Sequence, residues 1–397
     1  MTSGWHKILA ALLALCMTAG IAGCSGGESS DASDSGTGEA SQTTEASEPE
    51  SEPIKAGFIF HGDAETDGFT AEMNRQRISA GTHSDVETMY IDNVNITDFE
   101  KAVQALSNAG CTYIVAGSPV YNTTLASTAG KYMNINFIAY GTTARSANIA
   151  AYTEEEYQGA YIAGMAAAYN STTEKIGIVA DTDILYPTPT VNAAALGMQL
   201  VYDTAEMVAA FATRDDEIET AVNALINEGC DVIICYTESK RAAEFCEEKG
   251  VKFIDSIDHS SDSGDFSNMI MYFNCDRSSY YLAEYKQMSL DTWTGDTFTG
   301  TMANGAVSIS DALPAAKDGT QDIIGALAPK VTGGLAYIFN GELKDINGNV
   351  KYMKGSFMNS ADIYNMDWYV YGVRLLGNYR QPITDLAPNA LEIHYGD

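Results

Sequence analysis

The stretch "ALINEGCDVIICYTES", residues 224–239, has the pattern of a helix end, a glycine turn, a cysteine, a buried strand and a polar loop. A near copy, "ALSNAGCTYIVAGSPV", occupies residues 105–120. The two cysteines, Cys111 and Cys230, stand 119 residues apart (230 − 111). The same helix–turn–strand pattern, made twice by one chain, predicts two successive α/β units.

Strands and helices alternate on both sides of the two copies. From residue 54 the predicted strands are "IKAGFIF", "VETMYID", "TYIVAG" and "NINFIAY", with helices between them. The alternation restarts at residue 153 and continues through "KIGIVA", "AEMVAAF", "CDVIICY", "VKFIDS" and "MIMYFN". A βαβ succession requires parallel strands covered by helices on both faces. The sequence therefore predicts two Rossmann-like lobes, with a ligand cleft between the carboxyl ends of their strands.

Two predicted helices have N-terminal signals. One covers residues 97–110, with Thr97 as its N-cap. The other covers residues 153–170, with Thr153 as its N-cap and Glu156 three positions later. Small residues such as Gly159 and Gly164 recur on the second helix and favour close packing against a neighbour. Three consecutive glutamates exclude a membrane-spanning role for this helix.

The lobe boundaries follow from the same alternation. We predict that residues 54–150 and about 275–310 form the N-terminal lobe. Residues 151–274 and part of 311–397 form the C-terminal lobe, with a closing hairpin and tail. The chain is expected to cross between lobes near Ala151 and Asn274, and a third time after Ser310.

The N-terminus is typical of a bacterial lipoprotein. A short apolar run precedes "IAGC", so residues 1–24 are predicted to be a signal peptide and Cys24 the lipidated residue. An ordinary secretory signal with an incidental cysteine is the alternative. Residues 25–53, rich in Ser and Glu, predict a disordered acidic tether. The expected location is outside the cytoplasm, with the lipid anchor in the cell membrane of a bacterium.

Charge and cysteine content limit the possible functions. The net charge of −31 excludes nucleic acid as a partner, because a polyanion would be repelled. No zinc-like Cys/His spacing appears, so we expect no metal and no cofactor. No nucleophile or phosphate-loop motif appears either, so we expect a protein that is not an enzyme. Most of the five cysteines after residue 53 are predicted to pack in the core, and a single disulfide is the alternative.

Several motifs together resemble the basic membrane protein (BMP) family of ABC-transporter substrate-binding lipoproteins, and in particular its purine nucleoside receptor-like branch. The motifs are "AGFIFHGDAETDGFTAEMNRQR", "EEEYQGAYIAGMAA", "EGCDVIICYTES" and "FNGELKDINGNVKYMKGSFMNSADIYNMDWYVYGV", and the resemblance covers roughly residues 54–373. The resemblance implies a type I periplasmic-binding-protein fold, an ABC permease as partner and a purine base or nucleoside as ligand.

The match is incomplete in two places. The first loop lacks the family's fuller acidic-Ser-Phe-Asn string, and Asn274 and Cys275 stand where the nucleoside-binding members carry a Lys. Base and nucleoside therefore both stay open. A sugar, an autoinducer or another small polar solute, bound for transport or for sensing, is the alternative.

The candidate binding residues follow the predicted strands. The resemblance implies aromatic stacking by Phe69 and Phe273, and an acid for a sugar hydroxyl at Asp258. Arg145 and Arg277 are expected to pair with surface acids, so no phosphate site is predicted. The full set of candidates is Asp67, Phe69, Thr70, Ser118, Tyr121, Asp183, Tyr186, Tyr236, Glu238, Asp258, Phe273 and Asn274.

Each candidate has a structural alternative. Phe69 and Phe273 could be ordinary core rings, and Tyr121 could pack at a helix start. Glu238 could cap the helix that follows it, and Asp183 could do the same for the next predicted helix.

Overall fold

The computed structural model describes residues 54–181, 187–259, 266–334, 336–377 and 390–396. All of them belong to one structural unit, Glu52–Asp397. The predicted signal peptide with Cys24 and the predicted tether lie outside the described residues, so both stay predictions. Within the described ranges, every helix falls short of the length and apolar character that a bilayer crossing requires.

The first lobe is built on a seven-stranded sheet that runs in the order β11-β5-β4-β3-β1-β2-β16. Its pairings are parallel except that of β16 with β2. Its strands are β1 (Lys55–Ile59), β2 (Glu87–Ile91), β3 (Tyr113–Ala116), β4 (Asn136–Tyr140), β5 (Ile149–Glu154), β11 (Thr297–Gly300) and β16 (His394–Tyr395). The helices between or beside these strands are α1 (Gly68–Thr82), α2 (Phe99–Asn108), α3 (Asn122–Ala129) and α8 (Ser278–Ser289).

The second lobe is built on another seven-stranded sheet, in the order β12-β10-β9-β8-β6-β7-β15. Only the pairing of β12 with β10 is antiparallel. Its strands are β6 (Lys175–Ala180), β7 (Glu206–Phe211), β8 (Val232–Tyr236), β9 (Lys252–Asp255), β10 (Met269–Cys275), β12 (Val307–Ile309) and β15 (Val373–Leu375). Its helices are α4 (Tyr157–Asn170), α5 (Pro187–Gln199), α6 (Asp215–Asn227), α7 (Lys240–Lys249) and α9 (Thr320–Thr332). The C-terminal segment adds β13 (Leu343–Lys344), β14 (Val350–Tyr352) and α10 (Ser360–Tyr364).

The two sheets repeat one topology. The order β5-β4-β3-β1-β2 in the first lobe becomes β10-β9-β8-β6-β7 in the second, with every strand number raised by five. The turns before β3 and β8 use Gly110 (φ +94°) and Gly229 (φ +90°), a left-handed conformation that glycine adopts without steric cost. The predicted pair of parallel α/β units is confirmed.

The chain crosses between the sheets close to two of the predicted points, after Glu154 and after Cys275. Strand β5 runs to Glu154, because β11 pairs with it over residues 151–154. Strand β12 already belongs to the second sheet, since it pairs with the end of β10. A third crossing falls earlier than the predicted position after Ser310, between Gly300 and Val307. A fourth crossing, from β15 to β16, does lie after Ser310, so the structure has one crossing more than the sequence predicted.

Both predicted N-caps are wrong. Thr153 is a buried residue of β5, and its hydroxyl bonds to the hydroxyl of Thr299 at 3.0 Å. Helix α4 begins only at Tyr157. Asn95, rather than Thr97, accepts the backbone N–H at the short turn before α2. Both sites carry the S/T-x-x-E pattern. Pairing with β11 keeps Thr153 in strand β5, and Asn95 caps the turn in place of Thr97.

The five cysteines of the described unit are buried and unpaired, as the core-packing prediction requires. Burial raises the pKa of Cys111 and of Cys230 to about 12, so both thiols keep their protons. Cys235 and Cys246 come within 3.7 Å of each other through their sulfur atoms, without a bond between them.

Candidate functional site

Arg277 joins the two sheets. It lies between β10 and α8, and its side chain is fully buried. Its guanidinium donates to Glu154 at the end of β5, with Nη2–Oε1 2.7 Å and Nε–Oε2 3.1 Å. It also donates to Glu238 after β8, with Nη2–Oε1 3.0 Å and Nη1–Oε2 3.2 Å. One guanidinium therefore bridges a carboxylate of each lobe. We call Tyr140, Glu154, Glu156, Glu238 and Arg277 the interlobe cluster.

Aromatic and amide groups surround the guanidinium. Its carbon lies 5.2 Å from the ring centroid of Phe69 and 5.7 Å from that of Tyr140, close enough for cation–π attraction. The Tyr140 hydroxyl donates to Glu154 in a short hydrogen bond. The backbone N–H of Arg277 donates to Oε1 of Gln76 on α1 at 3.1 Å. The two ion pairs of Arg277, with Glu154 of the first lobe and Glu238 of the second, require the lobes to be closed.

The start of α1 lies directly against the second lobe. A Cβ atom at Gly68 would stand 2.4 Å from the carbonyl oxygen of Thr237 and 2.8 Å from Cβ of Ser239. Only glycine allows this approach. Asp67 caps α1 by accepting the backbone N–H of Thr70 at 3.2 Å.

The electrostatics of the cluster are dominated by burial. Burial and the neighbouring Glu154 and Glu238 raise the pKa of Glu156 well above its usual range. Burial also raises the pKa of Glu238, to about 7, although Arg277 acts in the opposite direction. Burial alone would lower the pKa of Arg277, but the two carboxylates hold it well above the usual value, so the guanidinium stays charged. Three acids thus share one cation.

Glu154, Glu156 and Cys275 are close enough to consider as metal ligands, since one donor atom of each lies within 4.8 Å of the others. Both oxygens of Glu154 are already bonded to Arg277. The Cys275 thiol, whose pKa burial raises, donates to Glu154 at 3.1 Å. Because only Glu156 keeps a free oxygen, these residues do not fit a metal ion.

The structure brings four of the candidate residues to the interlobe cluster. Phe69 and Glu238 contact Arg277. The Tyr236 hydroxyl donates to Oε2 of Glu156 at 2.7 Å, and the Tyr236 ring lies 6.1 Å from the ring of Phe273. Glu238 does not cap α7, since Ser239 takes that role.

The two rings implied as a stacking pair are not in contact with each other. The Phe69 ring lies 5.5 Å from that of Tyr140 in the first lobe, whereas Phe273 packs on Tyr236 and Gly159 in the second. Each is buried in an aromatic pair of its own lobe.

Asp258 and Asn274 lie at a different place, a cavity of about 460 Å³ between α1 and the second lobe. Asp258 is exposed there, and Oδ1 of Asn274 accepts from the Ser308 hydroxyl at 2.5 Å. The remaining lining residues are Glu72, Arg75, Gln76, Ser79, Lys240, Ile257, Asp276, Ser278, Gly305 and Ser308.

Other candidate residues have structural roles. Tyr121 is fully buried in the first-lobe core, where its ring stacks on Phe99 at 4.6 Å and its hydroxyl donates to the Val94 carbonyl at 2.7 Å. We therefore withdraw Tyr121 as a ligand contact. Ser118 caps the short turn after β3. Asp183 and Tyr186 lie outside the described residues.

The sequence reasoning missed Tyr140, Glu154 and Glu156 and gave Arg277 the wrong partners. Arg145 pairs with exposed Asp296 at 2.9 Å, as expected, but Arg277 pairs with buried acids instead of surface ones. Arg277 stands two residues after the end of β10, and that position near a strand end was the one available signal.

Known proteins resemble this chain along most of its length. Residues 54–330 match the family described as ABC transporter substrate-binding protein PnrA-like. A purine-binding protein of Brucella abortus is 24% identical over 331 residues, which cover 81% of this chain and 93% of the relative. A Haloferax volcanii protein, named provisionally as an ABC transporter glucose-binding protein, is 25% identical over 302 residues, covering 74% and 76%.

A solved structure shares the fold. An ABC transporter system solute-binding protein from Aeropyrum pernix superposes with a TM-score of 0.62 at 16% identity, covering 79% of this chain and 96% of that one. The predicted type I periplasmic-binding-protein architecture is confirmed, and so is the resemblance to the BMP family. Proteins of this family are extracytoplasmic carriers that bind a small molecule for an ABC permease and are not enzymes. The chain therefore belongs to the PnrA-like family of ABC-transporter substrate-binding proteins.

Proposed function

We propose that this protein captures a purine base or nucleoside between its lobes and delivers it to an ABC permease. The observation that carries the proposal is the set of aromatic rings that both lobes contribute around the interlobe cluster. Phe69 and Tyr140 come from the first lobe, and Tyr236 and Phe273 come from the second. Planar bases bind well to aromatic faces, and the proposal requires the lobes to part and admit one between such rings.

The charges of the cluster favour a ligand without phosphate. The guanidinium of Arg277 is occupied by two carboxylates, and Glu156 adds a third acid nearby. An anionic group would find no free cation in the cluster, and burying its charge there would cost free energy. A neutral base or nucleoside fits these charges better than a nucleotide. The Brucella relative, named as purine-binding, supports the same ligand class.

Purines are expected to stabilise the protein against thermal unfolding. A ligand at 100 times its Kd adds about 2.7 kcal/mol to the free energy of unfolding. Loss of one stacking ring in Phe69→Ala or Phe273→Ala should weaken purine binding by roughly 5- to 150-fold, since base stacking on an aromatic ring contributes about 1–3 kcal/mol. Melting curves with and without bases and nucleosides measure the stabilisation, and calorimetric titration measures the change in affinity.

The control variant is Phe357→Ala, which removes a ring that is 66% exposed on the C-terminal segment and should leave purine affinity unchanged. If no purine shifts the melting curve, the purine assignment fails.

A sugar is the second candidate ligand. The cavity with Asp258 and Asn274 is lined mostly by polar side chains, as sugar hydroxyls require, and the Haloferax relative is named for glucose. Glucose and other sugars therefore belong in the same thermal screen. Stabilisation by a sugar alone, lost in Asp258→Ala and kept in Phe69→Ala, would replace the purine proposal by this one.

We also propose that Cys24 carries a lipid that holds the protein at the membrane. The support is the "IAGC" sequence behind a short apolar run. When the full chain is expressed in a bacterium, the wild-type protein should partition into detergent, whereas Cys24→Ser should be recovered without lipid. Cys16→Ser, inside the predicted signal peptide, should behave as wild type. Equal partitioning of Cys24→Ser and wild type would rule out the anchor.

A further inference from the structure

Glu156 is the one member of the interlobe cluster with an unused carboxylate oxygen. Its side chain is only 2% exposed. Oε2 accepts from the Tyr236 hydroxyl at 2.7 Å, but Oε1 has no hydrogen-bond partner among the described residues. Buried acceptors in proteins are nearly always paired, so an unpaired one in a binding protein calls for a partner that arrives from outside.

The groups that face Glu156 cannot supply that partner. Glu154 and Glu238 are acids, and the guanidinium of Arg277 is already bonded to both of them. The Tyr236 hydroxyl, which also contacts Thr190 of α5 at 3.3 Å, is used by Oε2. Among the described residues, the surroundings of Oε1 therefore lack a free donor.

The position of Glu156 in the fold places it beside the second-lobe rings of the proposed site. It lies between β5 of the first sheet and α4 of the second lobe. One turn further along α4, Gly159 packs against the Phe273 ring, since a Cβ there would stand 3.0 Å from that ring. A planar ligand in contact with Phe273 or Tyr236 would have an edge near Glu156.

We infer that Oε1 of Glu156 accepts a hydrogen bond from a ring N–H of the bound purine, and that Glu156 thereby determines specificity. The inference rests on the proposed purine function and adds the chemical feature of the purine, a ring N–H, that the site recognises. A ring nitrogen without hydrogen would face a lone pair and gain nothing. A purine whose critical N–H is methylated would also lose the bond.

The test pairs each purine that binds with its N-methylated analogues. Guanine, hypoxanthine and adenine are titrated into the full chain beside their 1-, 7- and 9-methyl forms. For the wild-type protein, one methyl position should weaken binding by about 5- to 150-fold, the cost of leaving a buried hydrogen-bonding group without its partner. In Glu156→Gln the parent purine should bind more weakly, and the penalty at that methyl position should largely disappear.

Glu155→Gln is the matched control. Glu155 stands next in the chain, is half-buried and bonds to Gln158 on the first turn of α4, so its variant should keep both the wild-type affinity and the methyl penalty. Thermal unfolding without ligand shows whether Glu156→Gln is folded. If purines bind and the methyl penalty is the same in wild type and Glu156→Gln, this inference is wrong while the proposed function stands. If no purine binds the wild type, both are wrong.

Discussion

Arg277→Leu is expected to lower the free energy of unfolding by about 3–5 kcal/mol, the usual cost of removing one partner from a buried ion pair. The substitution leaves Glu154 and Glu238 buried without their counter-ion, and Glu156 adds a third acid to the same place. It also removes the only side chain of the interlobe cluster that bonds to a carboxylate of each sheet. Urea unfolding followed by circular dichroism measures the change.

Two variants make the result specific. Arg145→Leu breaks the exposed pair with Asp296 and should change stability by less than about 1 kcal/mol. Adding Glu238→Gln to Arg277→Leu removes one of the stranded charges and should recover part of the loss. A cost for Arg277→Leu as small as that for Arg145→Leu would mean that water reaches the cluster in solution and that the lobes stand open there.

The fold was predictable because its signals are local. Each glycine turn, cysteine and strand of the repeated unit lies within about a dozen residues, and the repeat was visible at Cys111 and Cys230. The paired sheets follow from those units by the βαβ rule. The lobe crossings were less predictable, since the pairings of β11 and β12 depend on tertiary contacts.

The centre of the site was not predictable, for two physical reasons. Arg277 and Glu154 are 123 residues apart and lie in different segments of the fold, and no periodicity links them. The net charge of −31 also makes pairing with a surface acid the default expectation for any arginine. The run of three glutamates was assigned to a helix start, whereas β11 pairs with Glu154 and places it at the end of a strand.

The helix predicted over residues 153–170 begins later than expected, at Tyr157, but the close packing predicted for it is present. Its small residues were expected to allow close packing, and α4 and α5 do approach each other through two glycines. A Cβ on Gly164 would stand 1.9 Å from the carbonyl oxygen of Ala194, and one on Gly197 would stand 1.9 Å from that of Tyr161. Both obstacles are backbone atoms, which cannot rotate away as a side chain could.

Gly164→Ala should therefore cost about 3 kcal/mol of unfolding free energy, at the upper end of the usual range for overpacking, because one helix must shift to admit the methyl group. The intrinsic helix preference of alanine over glycine, about 1 kcal/mol, acts in the opposite direction and makes any observed loss a lower bound on the strain. The melting temperature and urea midpoint of the purified protein report the loss.

Gly325→Ala measures the helix preference of alanine without packing strain, so the difference between the two variants gives the strain at Gly164. Gly325 lies inside α9, is exposed, and has no heavy atom within 4 Å of where its Cβ would be, so alanine should be neutral or stabilising by up to about 1 kcal/mol. If Gly164→Ala proved as stable as Gly325→Ala, α4 and α5 could not be packed as closely as described. Because α4 begins directly after Glu156, a shift of this helix should also weaken purine binding, whereas Gly325→Ala should leave binding unchanged.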